Sequence, residues 1–240
     1  MRIYRIAEMN IAVDARFAYT EEYMRDFLTD AQDYELLIRV TDEMIERERN
    51  ANIRIHDIVY DDGPCEAVAV LRVICDYIVK HGGFFLHCSC LRIDGQAAVF
   101  TAPSGTGKST HSALWRMCLG DRVEMINDDK PLVREKDGRF VIYGTPWKGK
   151  HDIGSNISAP IGAMFFLEQA PENSAERLDS FTALSLLMRQ TIMPTGREDM
   201  AALLDMLSKL IETVPMFRLK CTISDEAVRV AYNAMMGKTQ

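Results

Sequence analysis

Apolar and polar positions alternate in short runs through residues 1–60, where Ile3–Val13 and Tyr34–Val40 read as strands and Tyr23–Leu28 and Asp42–Arg49 as short helices. A longer pattern follows. Val68, Leu71, Cys75 and Ile78 recur at helical spacing between Cys65 and Lys80. Asp62-Gly63-Pro64 opens that helix and Gly82-Gly83 closes it. Phe84–Ile93 and Gln96–Thr101 then read as two strands joined at Asp94-Gly95, a favoured hairpin turn. The next helix runs from Lys108 to Leu119 and stops at Gly120.

Beyond it, Arg122–Ile126 reads as a strand ending in Asn127-Asp128-Asp129-Lys130. Leu132–Arg134 and Phe140–Tyr143 flank Asp137-Gly138 as a second hairpin, and a donor-rich loop follows over Gly144–His151. Ile161–Leu167 is almost continuously apolar, which suits a strand buried on both faces. Ser180–Gln190, Arg197–Val214 and Ser224–Met236 read as helices, with a strand at Met216–Leu219. The expected fold is a single α/β domain over residues 1–240: a mixed, twisted sheet with helices around it. Residues 1–60 form an N-terminal strand and helix extension, 84–167 the core that carries the chemistry, and 178–236 a mainly helical tail.

The junction of strand and helix at A-V-F-T-A-P-S-G-T-G-K-S-T-H, Ala98 to His111, is where chemistry enters. Strand, glycine loop and helix follow in the order of a P-loop, with Ala102 where the consensus has its first glycine. Backbone N–H groups can wrap a phosphate only where no Cβ intervenes, and Gly105 and Gly107 supply that freedom. Ser104, Gly105, Thr106, Gly107, Lys108, Ser109 and Thr110 therefore read as the nucleotide-binding element for ATP. Lys108 would reach the β- and γ-phosphates, and the Ser109 hydroxyl would ligate Mg²⁺. Asp128 and Asp129 lie after a strand about 20 residues downstream, where P-loop proteins hold the metal; two adjacent acids allow one to bind Mg²⁺ and the other to accept a proton. His87 stands 21 residues before Lys108, and the residues alone leave it between a satisfied core histidine and a catalyst. Lys148 and Lys150 could clamp a phosphate or form a solvated loop; Trp147 could contact substrate or be a packed hinge; His111 could approach the nucleotide.

Composition changes this picture little. At 240 residues, 48% apolar and 26% charged, the sequence is that of an ordinary globular protein, and a net charge of −7 offers no bulk surface for nucleic acid or an anionic membrane. No apolar run reaches membrane-spanning length and the N-terminus lacks a signal-peptide core, so a cytoplasmic protein is expected. Cysteines 65, 75, 88, 90, 118 and 221 mostly sit in apolar stretches and read as reduced core thiols.

The stretch from His87 through the Asp pair resembles the catalytic domain of HPr kinase/phosphorylase, and more loosely the nucleotide core of ATP-dependent phosphoenolpyruvate carboxykinase. The features that carry the likeness are the hairpin histidine before G-Q-A-A-V-F-T, the loop S-G-T-G-K-S-T and the D-D pair after the next strand. Y-G-T-P-W-K-G-K and A-P-I-G-A-M-F-F-L-E-Q look like smaller HPr-kinase-related kinases, including those found with peptide-modifying systems. The likeness spans Phe84 to Leu167 and departs at Thr110, where the family has an acid. It implies that His87 handles a proton, that Lys108 and Ser109 hold phosphate and metal, and that Asp128 and Asp129 divide the metal and general-base roles, in an order left open. The implied activity is ATP- and Mg²⁺-dependent phosphoryl transfer to a hydroxyl, serine or threonine of a protein or peptide, and a homo-oligomer is compatible with it. The rival expectation is an ATP-binding regulatory module without transfer.

Overall fold

The computed structural model describes residues 1–56 and 58–238. The chain falls into two compact units, Met1–Ile78 and Val79–Gln240. In the first, β1 (Arg2–Ile6), β2 (Met9–Asp14) and β3 (Leu36–Arg39) form a sheet with β1 antiparallel and β3 parallel to β2. The expected single strand over Ile3–Val13 is thus a hairpin. Its turn puts Ala7 at φ 49° and Glu8 at φ 64°, left-handed residues without the Gly or Asn that announces such a turn. The expected helix at Tyr23–Leu28 begins and ends earlier, as α1 (Ala18–Tyr23), with one 3₁₀ turn at Arg25–Phe27 after it. Helix α2 (Asp42–His56) runs beyond the predicted Arg49, and α3 (Asp62–Val79) follows it. The fully buried Glu66 of α3 accepts hydrogen bonds from the Arg16 and Phe17 N–H groups and, at 2.6 Å, from the Thr20 hydroxyl. Phe17 is the α1 N-cap and makes no side-chain cap of its own, so a distant carboxylate satisfies that helix start.

The second unit carries a nine-stranded mixed sheet of order β4-β8-β9-β10-β6-β5-β7, to which β12 adds on β10 and β11 on β12. Its strands are β4 (Gly83–Phe85), β5 (Ser89–Ile93), β6 (Gln96–Thr101), β7 (Val123–Asn127), β8 (Leu132–Lys136), β9 (Arg139–Tyr143), β10 (Ser158–Gln169), β11 (Ser174–Arg177) and β12 (Met216–Cys221). Both predicted Asp-Gly hairpins form, with Asp94 and Gly95 at φ 48° and 78° and Asp137 and Gly138 at φ 50° and 73°. The expected strand Phe84–Ile93 is broken at Leu86-His87-Cys88, because β4 pairs with β8 while β5 lies between β6 and β7. His87 therefore sits in a crossing segment and not within a strand. The N–H groups there donate to loops instead: Leu86 to Pro131 O, His87 to Gln190 O and Cys88 to Asp129 O.

Strand β10 joins the parts of the sheet. Ser158–Pro160 run antiparallel to β9, Ile161–Phe166 parallel to β6, and Met164–Gln169 parallel to β12. Helices α4 (Lys108–Leu119), α5 (Ser180–Leu187), α6 (Arg197–Thr213) and α7 (Asp225–Met235) pack against it. Side chains of β6 and β10 alternate between two cores. Val99, Met164 and Phe166 meet Leu187 of α5 and Leu203 and Leu207 of α6, whereas Ala98, Phe100 and Phe165 meet Trp115 of α4 and Val228 and Ala231 of α7. Burial on both faces explains why Ile161–Leu167 is apolar throughout. The six cysteines form no disulfide; four are buried, Cys118 is exposed and Cys221 half-buried. Among the described residues, no helix is long and apolar enough to cross a membrane.

On the second face, Phe100 stacks on Phe165 and meets the His111 ring edge-on at 4.8 Å, while the Trp115 indole N–H donates to His111 Nε2 at 3.1 Å. Burial pushes the His111 pKa down from 6.5 to about 4. Between those values the unfolded chain binds a proton that the folded chain refuses. Stability is therefore full above about pH 6.5 and falls as the pH drops toward about 4, by up to about 3 kcal/mol from this residue. His111→Phe keeps a ring in the core and should flatten that slope in urea melts across the same pH range. An unaltered slope would contradict the assignment.

Candidate functional site

Strand β6 ends at Thr101, whose hydroxyl donates to His87 O at 3.0 Å, and the chain turns through residues 102–107 into α4. Gly105 stands at φ +80° and Gly107, the α4 N-cap, at φ +112°, left-handed positions that residues with a Cβ rarely adopt. No side chain caps α4, so its first-turn N–H groups are left to the cavity in front of the loop. Lys108 is 9% exposed, and its ammonium donates to Ala102 O at 2.9 Å, folding back across the loop. Burial draws the Lys108 pKa below its ordinary value, against the raising influence of Cys88, Asp129 and Asp128.

Opposite the loop, β7 ends in a turn held by one side chain. Asn127 Oδ1 accepts the N–H groups of Asp129 and Lys130 at 2.9 and 2.8 Å, and its Nδ2 donates to the carbonyl and hydroxyl oxygens of Thr145 at 3.0 and 3.1 Å. The Thr145 hydroxyl in turn donates to Lys130 O at 2.7 Å. With its donors and acceptor all engaged, Asn127 fixes where the two acids point.

The two acids meet different surroundings. Asp128 Oδ1 accepts from the Ser89 hydroxyl at 2.6 Å and the Ser112 hydroxyl at 3.4 Å, while Oδ2 has no partner among the described residues. Asp129 is engaged at both oxygens, by His87 Nε2 at 3.3 Å on Oδ1 and by the Lys130 ammonium on Oδ2. Burial pushes the Asp129 pKa up, but the His87 hydrogen bond and the charge and hydrogen bond of Lys130 outweigh it and hold the carboxyl below its ordinary value. Gly149, at φ +76°, packs so closely that a Cβ there would lie 2.9 Å from Asp129 Cβ.

Loop and acids enclose one cavity of about 440 Å³. Of the residues the sequence singles out, His87, Asp128 and Asp129 line it on one side, and Ser104, Gly105, Gly107, Lys108, Ser109 and Thr110 on the other. Thr106 instead lines an adjoining cavity, as does His111. Lys150 reaches the first cavity, whereas Lys148 is buried at 7% exposure beside Asp152, and Trp147 is packed at 2% exposure. Sequence reasoning passed over Ser89, Ser112, Asn127, Thr145 and Gly149. Only Asn127 carried a signal, since Asn preceding a polar turn commonly bonds the backbone two residues on. The arrangement places N–H donors and an ammonium across from an open carboxylate oxygen, which suits an anion together with a cation.

Three comparisons bear on this chain. The family described as SynChlorMet cassette protein ScmC matches residues 65–228. No curated protein matches the sequence. Among solved structures, the Hpr(Ser) kinase/phosphatase from Coxiella burnetii is similar at a TM-score of 0.35 and 12% identity, over 64% of this chain and 97% of that one, a distant likeness of fold.

If Asn127 positions the acids, Asn127→Ala strands the Asp129 N–H and the Thr145 groups in a buried turn. The expected loss is about 2–4 kcal/mol, from one or two unsatisfied buried groups. Urea denaturation measures it, and a loss under about 1 kcal/mol would show that the turn holds without this side chain.

Proposed function

The chain belongs to the family described as SynChlorMet cassette protein ScmC, and we propose that it binds ATP with Mg²⁺ and transfers the γ-phosphoryl group to a serine or threonine hydroxyl of a protein or peptide. The observation that supports this most is the shared cavity. A glycine loop at a helix N-terminus faces two carboxylates of unequal environment, one of them hydrogen-bonded to a histidine.

In this reading the loop N–H groups and the α4 N-terminus receive the β- and γ-phosphates. Lys108 exchanges its bond to Ala102 O for a phosphate oxygen, trading a neutral acceptor for a charged one. The residues present fit Mg²⁺, an ion that takes one or two carboxylates and completes its shell with water and phosphate. Ser109 and the open oxygen of Asp128 would hold it, and when bound it neutralises charge on the phosphates. Asp129 then has the base role. Its carboxylate keeps lone pairs beyond those given to His87 and Lys130, enough to accept the acceptor's O–H. As the acceptor oxygen bonds to the γ-phosphorus, the bond from phosphorus to the β,γ-bridging oxygen breaks, ADP departs and the hydroxyl proton passes to Asp129. A carboxyl held below its ordinary pKa is a weak base, so the proton moves late, when the attacking oxygen has already lost electron density to phosphorus. His87 keeps Asp129 in place for that transfer.

Incubation with γ-labelled ATP and a lysate of the source organism tests the proposal, the expected result being a discrete acceptor carrying label on Ser or Thr. Asp129→Asn should reduce the labelling rate at least a hundredfold, about 3 kcal/mol of barrier, with the melting temperature little changed. His87→Ala should reduce labelling while ATP affinity stays within a few-fold of wild type. Tight ATP binding with no acceptor labelled above the Asp129→Asn background would leave a regulatory nucleotide-binding module in place of a kinase.

A further inference from the structure

Helix α5 leaves one of its sides uncovered. Ala183 and Leu187 turn into the core against α6, while Phe181, Leu184 and Met188 recur three and four residues apart and share a second side. Phe181 is 81% exposed and Met188 36%, with Leu184 half-buried between them. Single exposed apolar residues are common on any surface, but three in helical register form a stripe.

The stripe leads to the acids. Gln190 O, two residues past Met188, accepts the His87 N–H at 2.7 Å, and the Thr191 hydroxyl donates to Phe85 O at 2.6 Å. The end of α5 is thereby tied to the crossing segment whose histidine contacts Asp129. Phe181 to Gln190 spans about 13 Å at roughly 1.5 Å per helical residue. An extended chain covers that length with about four residues.

Charge along this path has one sign. The protein carries 35 acids against 28 lysines and arginines, yet residues 180–197 contain Arg189 and Arg197 and no acid. Arg189 is exposed between Met188 and Gln190, and its guanidinium has no partner among the described residues. Lys150, which lines the acid cavity, is also exposed and unpaired among them. Unpaired cations beside an apolar stripe suit a segment that is both acidic and apolar.

We propose that this face docks the acceptor as an extended peptide segment. Its apolar side chains lie on Phe181, Leu184 and Met188, an Asp or Glu of it pairs with Arg189, and its Ser or Thr hydroxyl reaches Asp129 past His87. The inference rests on the kinase reading above, in which the phosphates take the loop wall of the cavity and leave the His87 and Asp129 wall to the acceptor. It gives the acceptor a pattern: an acid within about three residues of the hydroxyl and an apolar residue about four to six away, on the same side of it.

An array of Ser and Thr peptides with each flanking position varied in turn, incubated with the intact protein and γ-labelled ATP, reads the selection directly. Wild type should label peptides carrying the acid and the apolar residue at least tenfold faster than peptides with Ala at those positions. Phe181→Ser, at a side chain too exposed to hold the fold, should erase the apolar selection and raise KM for the best peptide about tenfold, with ATP affinity within twofold. Arg189→Glu should turn the acidic selection into a basic one. Peptides labelled without either preference, or preferences unaltered in both variants, would overturn the docking face and leave the kinase reading standing. A labelled lysate protein with no labelled peptide would do the same. If wild type sediments as a dimer that Phe181→Ser makes monomeric, the stripe belongs to a second copy and the assignment falls. Labelling of neither peptide nor lysate protein, by a protein that binds ATP, would overturn the kinase reading and this inference with it.

Discussion

Strand β6 is constrained on every side, and the site depends on it. β10 pairs with one edge and β5 with the other, while Val99 and Phe100 enter opposite cores. A strand fixed in this way ends at a fixed point, and Thr101 secures that end to the His87 carbonyl. The loop beyond can then differ in shape only across the few residues before α4, where Gly105 and Gly107 take conformations other residues resist. The same hydrogen bond links the loop to the crossing segment that carries His87, so loop and histidine are positioned together.

The acids are positioned by a second constraint, the Asn127 side chain. It holds the turn to Thr145, 18 residues ahead, and frees β7 from having to continue as a strand. Neighbouring carboxylates thereby reach unequal surroundings. Two hydroxyls support Asp128 and leave an oxygen open; a histidine and a lysine engage Asp129. Pairs of titratable groups pushed into different environments are a common basis for a division of chemical labour. Here the two carboxylates differ in their partners, a difference that the D-D pair in the sequence does not record, and the roles proposed above rest on it.

What could be read from the sequence was what is local. The Asp-Gly turns at 94–95 and 137–138 form because their φ > 0 requirement is written in the residue types, whereas Ala7-Glu8 makes an equivalent turn with no such mark. The apolar run Phe84–Ile93 hid a change of partner from β8 to β6 and β7, since periodicity records which face is buried but not which strand lies alongside. The turn from β6 into α4 was legible because Gly105 and Gly107 stand where the backbone takes φ of +80° and +112°. His87 was placed beside the acids only through a resemblance, and its distance to Asp129 is a property of the crossing segment. Ser89, Ser112 and Thr145 were invisible, because their contacts join a strand, a helix and a loop that lie far apart in the sequence.

In the proposed function, the loop between β6 and α4 binds the phosphates of a nucleotide through Lys108. Isothermal titration of ATP–Mg²⁺ into wild type and Lys108→Ala tests it most directly. Saturable binding by wild type and at least a tenfold loss in the variant, about 1.4 kcal/mol, are expected as a charge-assisted phosphate contact is removed. Equal affinity of the two proteins, both folded, would contradict it.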